Sequence, residues 1–131
     1  MNKEQKDFLN EMVTKYCIVK DIDTFTHQHY TIITRSGIEK IQAKEDINIT
    51  YSLEHIGVAG VIIKAIATKG DKALETFGSA SKDTSYSKYY AEMAEKRAMS
   101  RAVLKIIDAY RYGIFGEDES DEFKNKSNEG K

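Results

Sequence analysis

The chain has 131 residues, 40% of them hydrophobic, with no proline and a formal net charge of −1. That length builds one domain with a modest core and is short for two. A single cysteine, Cys17, excludes an internal disulfide and a multi-cysteine metal cluster, and no run approaches the roughly 18 apolar residues that a membrane span needs. These exclusions, with the polar start Met1-Asn2-Lys3-Glu4, predict no signal peptide, a reducing cytoplasmic setting and Cys17 as a small buried side chain.

Phe8, Leu9, Met12, Val13 and Tyr16 recur at spacings of three and four, which predicts an amphipathic helix over residues 2 to 16. A polar stretch, Asp21 to Thr24, leads to the β-prone Tyr30-Thr31-Ile32-Ile33. Thr34 or Ser36 then caps a short helix whose Ile38 and Ile41 face inward, with Lys40 and Lys44 on one face and Arg35 near its start. From Ile47 the period becomes two, and Ile47, Ile49, Tyr51 and Leu53 predict a half-buried strand. Gly57 to Gly60 makes a turn or bulge, Val61 to Thr68 a more deeply buried strand, Lys69-Gly70-Asp71-Lys72 a hairpin turn, and Ala73 to Ala80 the returning strand. Short connections make these three an antiparallel meander.

A long helix follows from Tyr89 to Ile107, opened by Asp83, Thr84 or Ser85. Ala91, Ala98, Ala102, Ile106 and Ala109 fall on one side, where small residues permit close approach to a sheet. Met99, Val103, Ile107 and Tyr110 continue around it as core or as an oligomer or partner surface. Arg97, Arg101 and Lys105 form a row at every fourth residue, which suits phosphates and equally suits an ordinary solvated stripe. The predicted fold is α+β: an N-terminal helix, a short helix, a three-stranded meander and a long C-terminal helix within residues 1–115, then an acidic, disordered tail over 116–131.

Charge is mildly segregated. Residues 1 to 115 carry 17 basic and 15 acidic side chains, while the tail carries Glu117, Asp118, Glu119, Asp121, Glu122 and Glu129 against three lysines. That balance allows a polyanion partner where bases gather on one surface. The acidic run with Phe123 suits mimicry of a polyanion in a basic groove, a binding site for a protein partner, or a solubilising tail.

No catalytic constellation is present: there is no HExxH pair, phosphate loop, GxGxxG or cysteine beside histidine. A metal at His27 and His29, which would point the same way on a strand, is the weak enzymatic alternative. The expectation is a non-enzyme without metal or cofactor.

The succession of Val61 to Thr68, the Lys69-Gly70-Asp71 turn, Ala73 to Ala80, Lys88 and a helix bearing Glu95-Lys96-Arg97-Ala98 and Ser100-Arg101-Ala102-Val103-Leu104 resembles the β-β-β-α core of single-strand annealing proteins. These include the phage recombination proteins Erf, RecT and Redβ and the eukaryotic Rad-fifty-two. The likeness covers residues 45 to 112 and rests on element order and a degenerate helix pattern. It implies an oligomer that binds single-stranded DNA without sequence preference, in recombination or replication. Lys96, Arg97 and Arg101 match the family helix's bases, and Lys64, Lys69 and Lys72 its hairpin. Lys105 extends the row, and Arg35, Lys40 and Lys44 are added by charge alone. Tyr86, Tyr89 and Tyr90 beside Lys82 and Lys88 mix aromatic and basic groups suited to stacking and phosphate contact, although tyrosines at a helix start also serve as packing anchors. This chain is shorter and closer to neutral than the larger annealers, so protection of single strands fits it as well as annealing does. The alternative is a protein-protein interaction module using the apolar helix and the acidic tail.

Overall fold

Asn2 opens the chain's first helix with a reciprocal cap: its side chain accepts from the Gln5 N–H, and the Gln5 side chain accepts from the Asn2 N–H, both at 2.9 Å. Helix α1 (Lys3–Tyr16) is thus started in the computed structural model, which describes residues 2–27, 30–81 and 90–119. The helix ends where Cys17 turns left-handed, with φ 55°. The expectation of a buried Cys17 is therefore corrected, because the capping position turns its side chain to solvent.

Strands β1 (Thr24–His27) and β2 (Tyr30–Ile33) pair antiparallel, and a segment much later in the chain returns to add β6 (Ile114–Gly116) parallel to β2. Between them run α2 (Arg35–Glu45), β3 (Asn48–Gly57), β4 (Gly60–Lys69), β5 (Lys72–Ser81) and α3 (Tyr90–Ile106). The meander β3-β4-β5 is antiparallel throughout, as its alternation predicts, with a bulge between Leu53 and His55. Among the described residues the fold is α+β with two three-stranded sheets rather than a single three-stranded meander beside its helices. Thr34 holds the N-cap position of α2, yet its hydroxyl donates to the Ile22 carbonyl instead of capping.

Helix α3 packs on β4 and β5 through small residues. Ala94, Ala98 and Ala102 are fully buried, and an added Cβ at Gly78 would lie 2.0 Å from the Ala94 carbonyl oxygen. The backbones touch because nothing stands between them. Met99 and Val103 join Ile33, Ile38, Ile41 and Leu104 in the main core. This corrects their reading as a partner surface: α2 and β6 cover that side of α3 within the same chain, leaving Ile107 and Tyr110 half-exposed.

Two further corrections concern exposure. Strand β3 is largely exposed rather than half-buried, since α3 lies over β4 and β5 and stops short of it. Ile49 is half-covered, but Tyr51 and Leu53 are 39% and 57% exposed. The fold also extends past residue 115, because Gly116 completes β6 and Glu117–Glu119 make a 3-10 turn against α3. Asp121, Glu122 and Phe123 of the tail, the helix-opening residues 83 to 85, Tyr86, Lys88, Tyr89 and His29 lie outside the described residues. No helix among the described residues is long and apolar enough to cross a membrane.

Candidate nucleic-acid interface

The basic row of α3 runs along the free edge of β5. Arg97 Nη1 donates to the Ser79 carbonyl at 2.7 Å, and Arg101 Nη1 to the Phe77 carbonyl at 2.6 Å. The match is geometric: four helical residues advance about 6 Å and two strand residues about 6.6 Å. The two arginines satisfy alternate outward carbonyls of an edge that would otherwise remain open. Arg97 is buried, and its Nε also donates to the Asp118 carbonyl, while the Asp118 carboxylate accepts from the Ser100 hydroxyl at 2.9 Å. Its role is structural. Arg101 is half-exposed, and Lys105, the next in the row, is exposed with no ion-pair partner among the described residues.

Beyond Arg101 the row enters a groove of about 820 Å³ lined by Glu75, Thr76, Phe77, Arg101, Lys105, Asp108 and Tyr110. Phe77 is 50% exposed on the outer face of the sheet, directly across from Lys64 on β4. Tyr110 leans on Phe115 with ring centroids 5.5 Å apart, so its position is fixed from behind. The two acids of the groove have cations outside it: Glu75 lies 3.9 Å from Lys64, and Asp108 lies 3.5 Å from Arg111. Lys64 also lies 3.5 Å from Glu54, so counting these neighbours four cations meet three carboxylates, and the groove with its rim is positive by one charge among the described residues.

Other predicted site residues are engaged elsewhere. Lys40 Nζ is 2.5 Å from the buried Asp23 carboxylate and donates to the Cys17 carbonyl, tying α2 to the end of α1. Lys69 pairs with Glu45, which also meets Lys15 at 2.5 Å and accepts from the Tyr16 hydroxyl. Lys72 donates to the Ile106 carbonyl at 2.7 Å and closes the C-terminus of α3. Arg35 pairs with Glu39, one turn along α2. Lys44 lies in the last turn of α2, away from the groove, and Lys96 is half-buried on α3 outside it. Tyr90 packs with Met93 against the small cluster of Val61, Ile63, Ala80 and Ala94, as a packing anchor. The structure therefore brings together Arg101, Lys105 and Tyr110, with Lys64 at the rim.

Phe77 is the groove residue that sequence reading missed. Its strand pattern, with Thr76 and Gly78 inward and Phe77 between them, carried the signal: a large aromatic on the solvent face of an otherwise alternating strand.

Two carboxylates outside the groove, Glu45 and Asp23, are held in their charged form. Lys15 and Lys69 hold Glu45 down to about 2 against the opposing effect of burial. For Asp23, burial alone would raise the pKa, but Lys40, Ser36 and the Val19 N–H together lower it. No group of three or more His, Cys, Asp or Glu side chains among the described residues is placed to hold a metal ion. Neither a family model nor a curated protein matches the sequence.

Proposed function

We propose that the groove along β5 and the end of α3 binds single-stranded nucleic acid, DNA in the first instance, without sequence preference. The observation that carries this reading is a single groove whose walls join Phe77, half-exposed, and Tyr110 to the cations Arg101 and Lys105. Every base offers a π-face to stack on an aromatic ring, and every nucleotide offers a phosphate to a cation, so this pairing of groups recognises strand chemistry rather than sequence. Edge arginines support it further: Arg101 spends Nη1 on the Phe77 carbonyl, which fixes the guanidinium at the groove wall.

A groove of this size contacts a few nucleotides, which suits protection of exposed strands. Annealing, as the resemblance to the recombination proteins implies, requires several copies along one strand and follows only if the protein assembles.

The test is a fluorescence titration of labelled oligo-dT with wild type and Lys105→Gln at several salt concentrations. Wild type should bind with affinity that falls steeply with salt, and the variant's log–log slope should be shallower by about 0.7 for the lost phosphate contact. No binding of wild type at low salt would sink the proposal.

A further inference from the structure

The two edges of the meander are treated in opposite ways. On β5, Arg97 and Arg101 cover the Ser79 and Phe77 carbonyls. On β3, the other edge, no side chain among the described residues hydrogen-bonds to the backbone of residues 48 to 53. Natural proteins guard an exposed edge with charge, proline or a covering element, because an open, uncharged strand templates pairing with another chain. The run Asn48-Ile49-Thr50-Tyr51-Ser52-Leu53 has none of these guards, in a chain that is 31% charged. Its bulge comes only afterwards, between Leu53 and His55.

The exposed side chains also lie on the face that ought to be buried. Ile49, Tyr51 and Leu53 pair across the ladder with Ala67, Ala65 and Ile63, all buried beneath or beside α3. The core-facing surface of the sheet thus continues onto β3 past the reach of the helix.

We infer that β3 is the self-association edge of the protein, pairing antiparallel with β3 of a second copy about a two-fold axis at Tyr51. Such an axis, perpendicular to the sheet, preserves its faces, so residues that meet have the same side. Tyr51 then meets Tyr51, Ile49 meets Leu53, and Thr50 meets Ser52. On one face Ile49, Tyr51 and Leu53 meet only one another, on the other Thr50 meets Ser52 and Asn48 meets Glu54, and no charge falls opposite a like charge. That self-complementarity selects a second copy over an unrelated partner. The product is a continuous six-stranded sheet with both α3 helices on one side, and a trough between them whose floor is the apolar strip exposed in one copy and whose sides carry Arg35 and Glu95, an opposite-charge pair acting on Tyr51. Both β5 edges, with their grooves, lie at the outer margins and stay accessible. The inference is independent of whether those grooves bind nucleic acid. A contact of this extent is small for a stable dimer, so association falls in the micromolar range.

Sedimentation equilibrium on the full chain, from about 1 to 200 µM to bracket that range, is the deciding measurement, with Leu53→Lys and Phe77→Lys compared with wild type. Wild type should pass from monomer to dimer, a roughly twofold rise in mass. Leu53→Lys should remain monomeric, because two lysines would be forced onto the apolar floor of the trough, whereas Phe77→Lys, on the far edge, should still dimerise. Tyr51→Cys in a Cys17→Ser background should give a disulfide-linked dimer on mild oxidation. A wild type that is monomeric at the highest concentration, or a Leu53→Lys variant that associates as wild type does, overturns the inference. Leu53 is 57% exposed, so circular dichroism of Leu53→Lys should match wild type, and loss of its helical signal would itself contradict the exposure on which the inference stands.

Discussion

Arg101 holds the Phe77 carbonyl at 2.6 Å while the Phe77 ring points to the other side of the edge, half in solvent. One residue thus supplies a backbone acceptor that fixes the arginine and an aromatic face that lies open beside it. The backbone hydrogen bond belongs to the fold, and the exposed ring is the part of Phe77 left for the proposed interface.

Phe77→Ala separates these two roles. The carbonyl remains, so stability should change by less than about 1 kcal/mol for a side chain already half exposed. Loss of one stacking face should weaken oligo-dT binding by about 1–3 kcal/mol, a factor between about 5 and 150. Phe77→Trp should retain the affinity. Equal affinities for Phe77→Ala and wild type would remove the ring from the interface.

Arg97→Ala should behave in the opposite manner. This side chain is buried, donates to Ser79 and Asp118, and fastens the 3-10 turn of Glu117–Glu119 to α3. Removing it leaves two part-buried carbonyls without donors, at a cost of roughly 1–3 kcal/mol in denaturant unfolding. Arg97→Lys should recover only part of this, because one ammonium cannot span both carbonyls as the guanidinium fork does.

The basic row illustrates what the sequence could and could not reveal. Spacing alone places Arg97, Arg101 and Lys105 on one face, and the helix, both hairpin partners and α2 all follow from periodicity and turn chemistry. Spacing does not reveal that the face lies along a strand edge, because the register of α3 against β5 is set by the Gly78–Ala94 contact, which is tertiary. Likewise β1 and β6, four and three residues long, are too short to show a period and form only because β2 lies between them. The burial of Met99 and Val103 depended on where α2 packs. Lys40, Lys69 and Lys72 read as available charge, since nothing local announces that Asp23, Glu45 and the Ile106 carbonyl are their acceptors.

Acid should expose the Glu45 junction. Its folded pKa, about 2, lies below its ordinary value of 4.5, so the carboxylate contributes stability that is fully present above about pH 5. That contribution, on the order of 2 kcal/mol, is lost as pH falls from there through the folded value. Asp23, lowered in the same direction, adds to the same acid limb. Urea midpoints measured from pH 7 down to 3 should therefore fall for wild type. Glu45→Gln should start lower at pH 7 and fall less steeply, because Lys15, Lys69 and Tyr16 have already lost their anion. Parallel curves for the two proteins would refute the assignment.

Gly78 and Gly70 give a paired test of how α3 is seated. At Gly70, φ is +58° and an added Cβ meets nothing within 4 Å, so Gly70→Ala carries only the backbone strain of a left-handed residue, about 1 kcal/mol. At Gly78 the backbone is extended, but the new Cβ would sit 2.0 Å from the Ala94 oxygen and 2.4 Å from the Ala98 nitrogen. Neither neighbour is a flexible side chain that could swing away. The helix would have to lift from β5, which would pull Arg97 and Arg101 away from the Ser79 and Phe77 carbonyls and disturb the Thr76 hydroxyl bond to the Ala98 carbonyl. Gly78→Ala should therefore cost roughly 3 kcal/mol or more, well above Gly70→Ala. It should also accelerate hydrogen exchange at the β5 amides, which lose the cover of the helix. A Gly78→Ala protein as stable as wild type would mean that α3 does not rest on this strand at backbone contact.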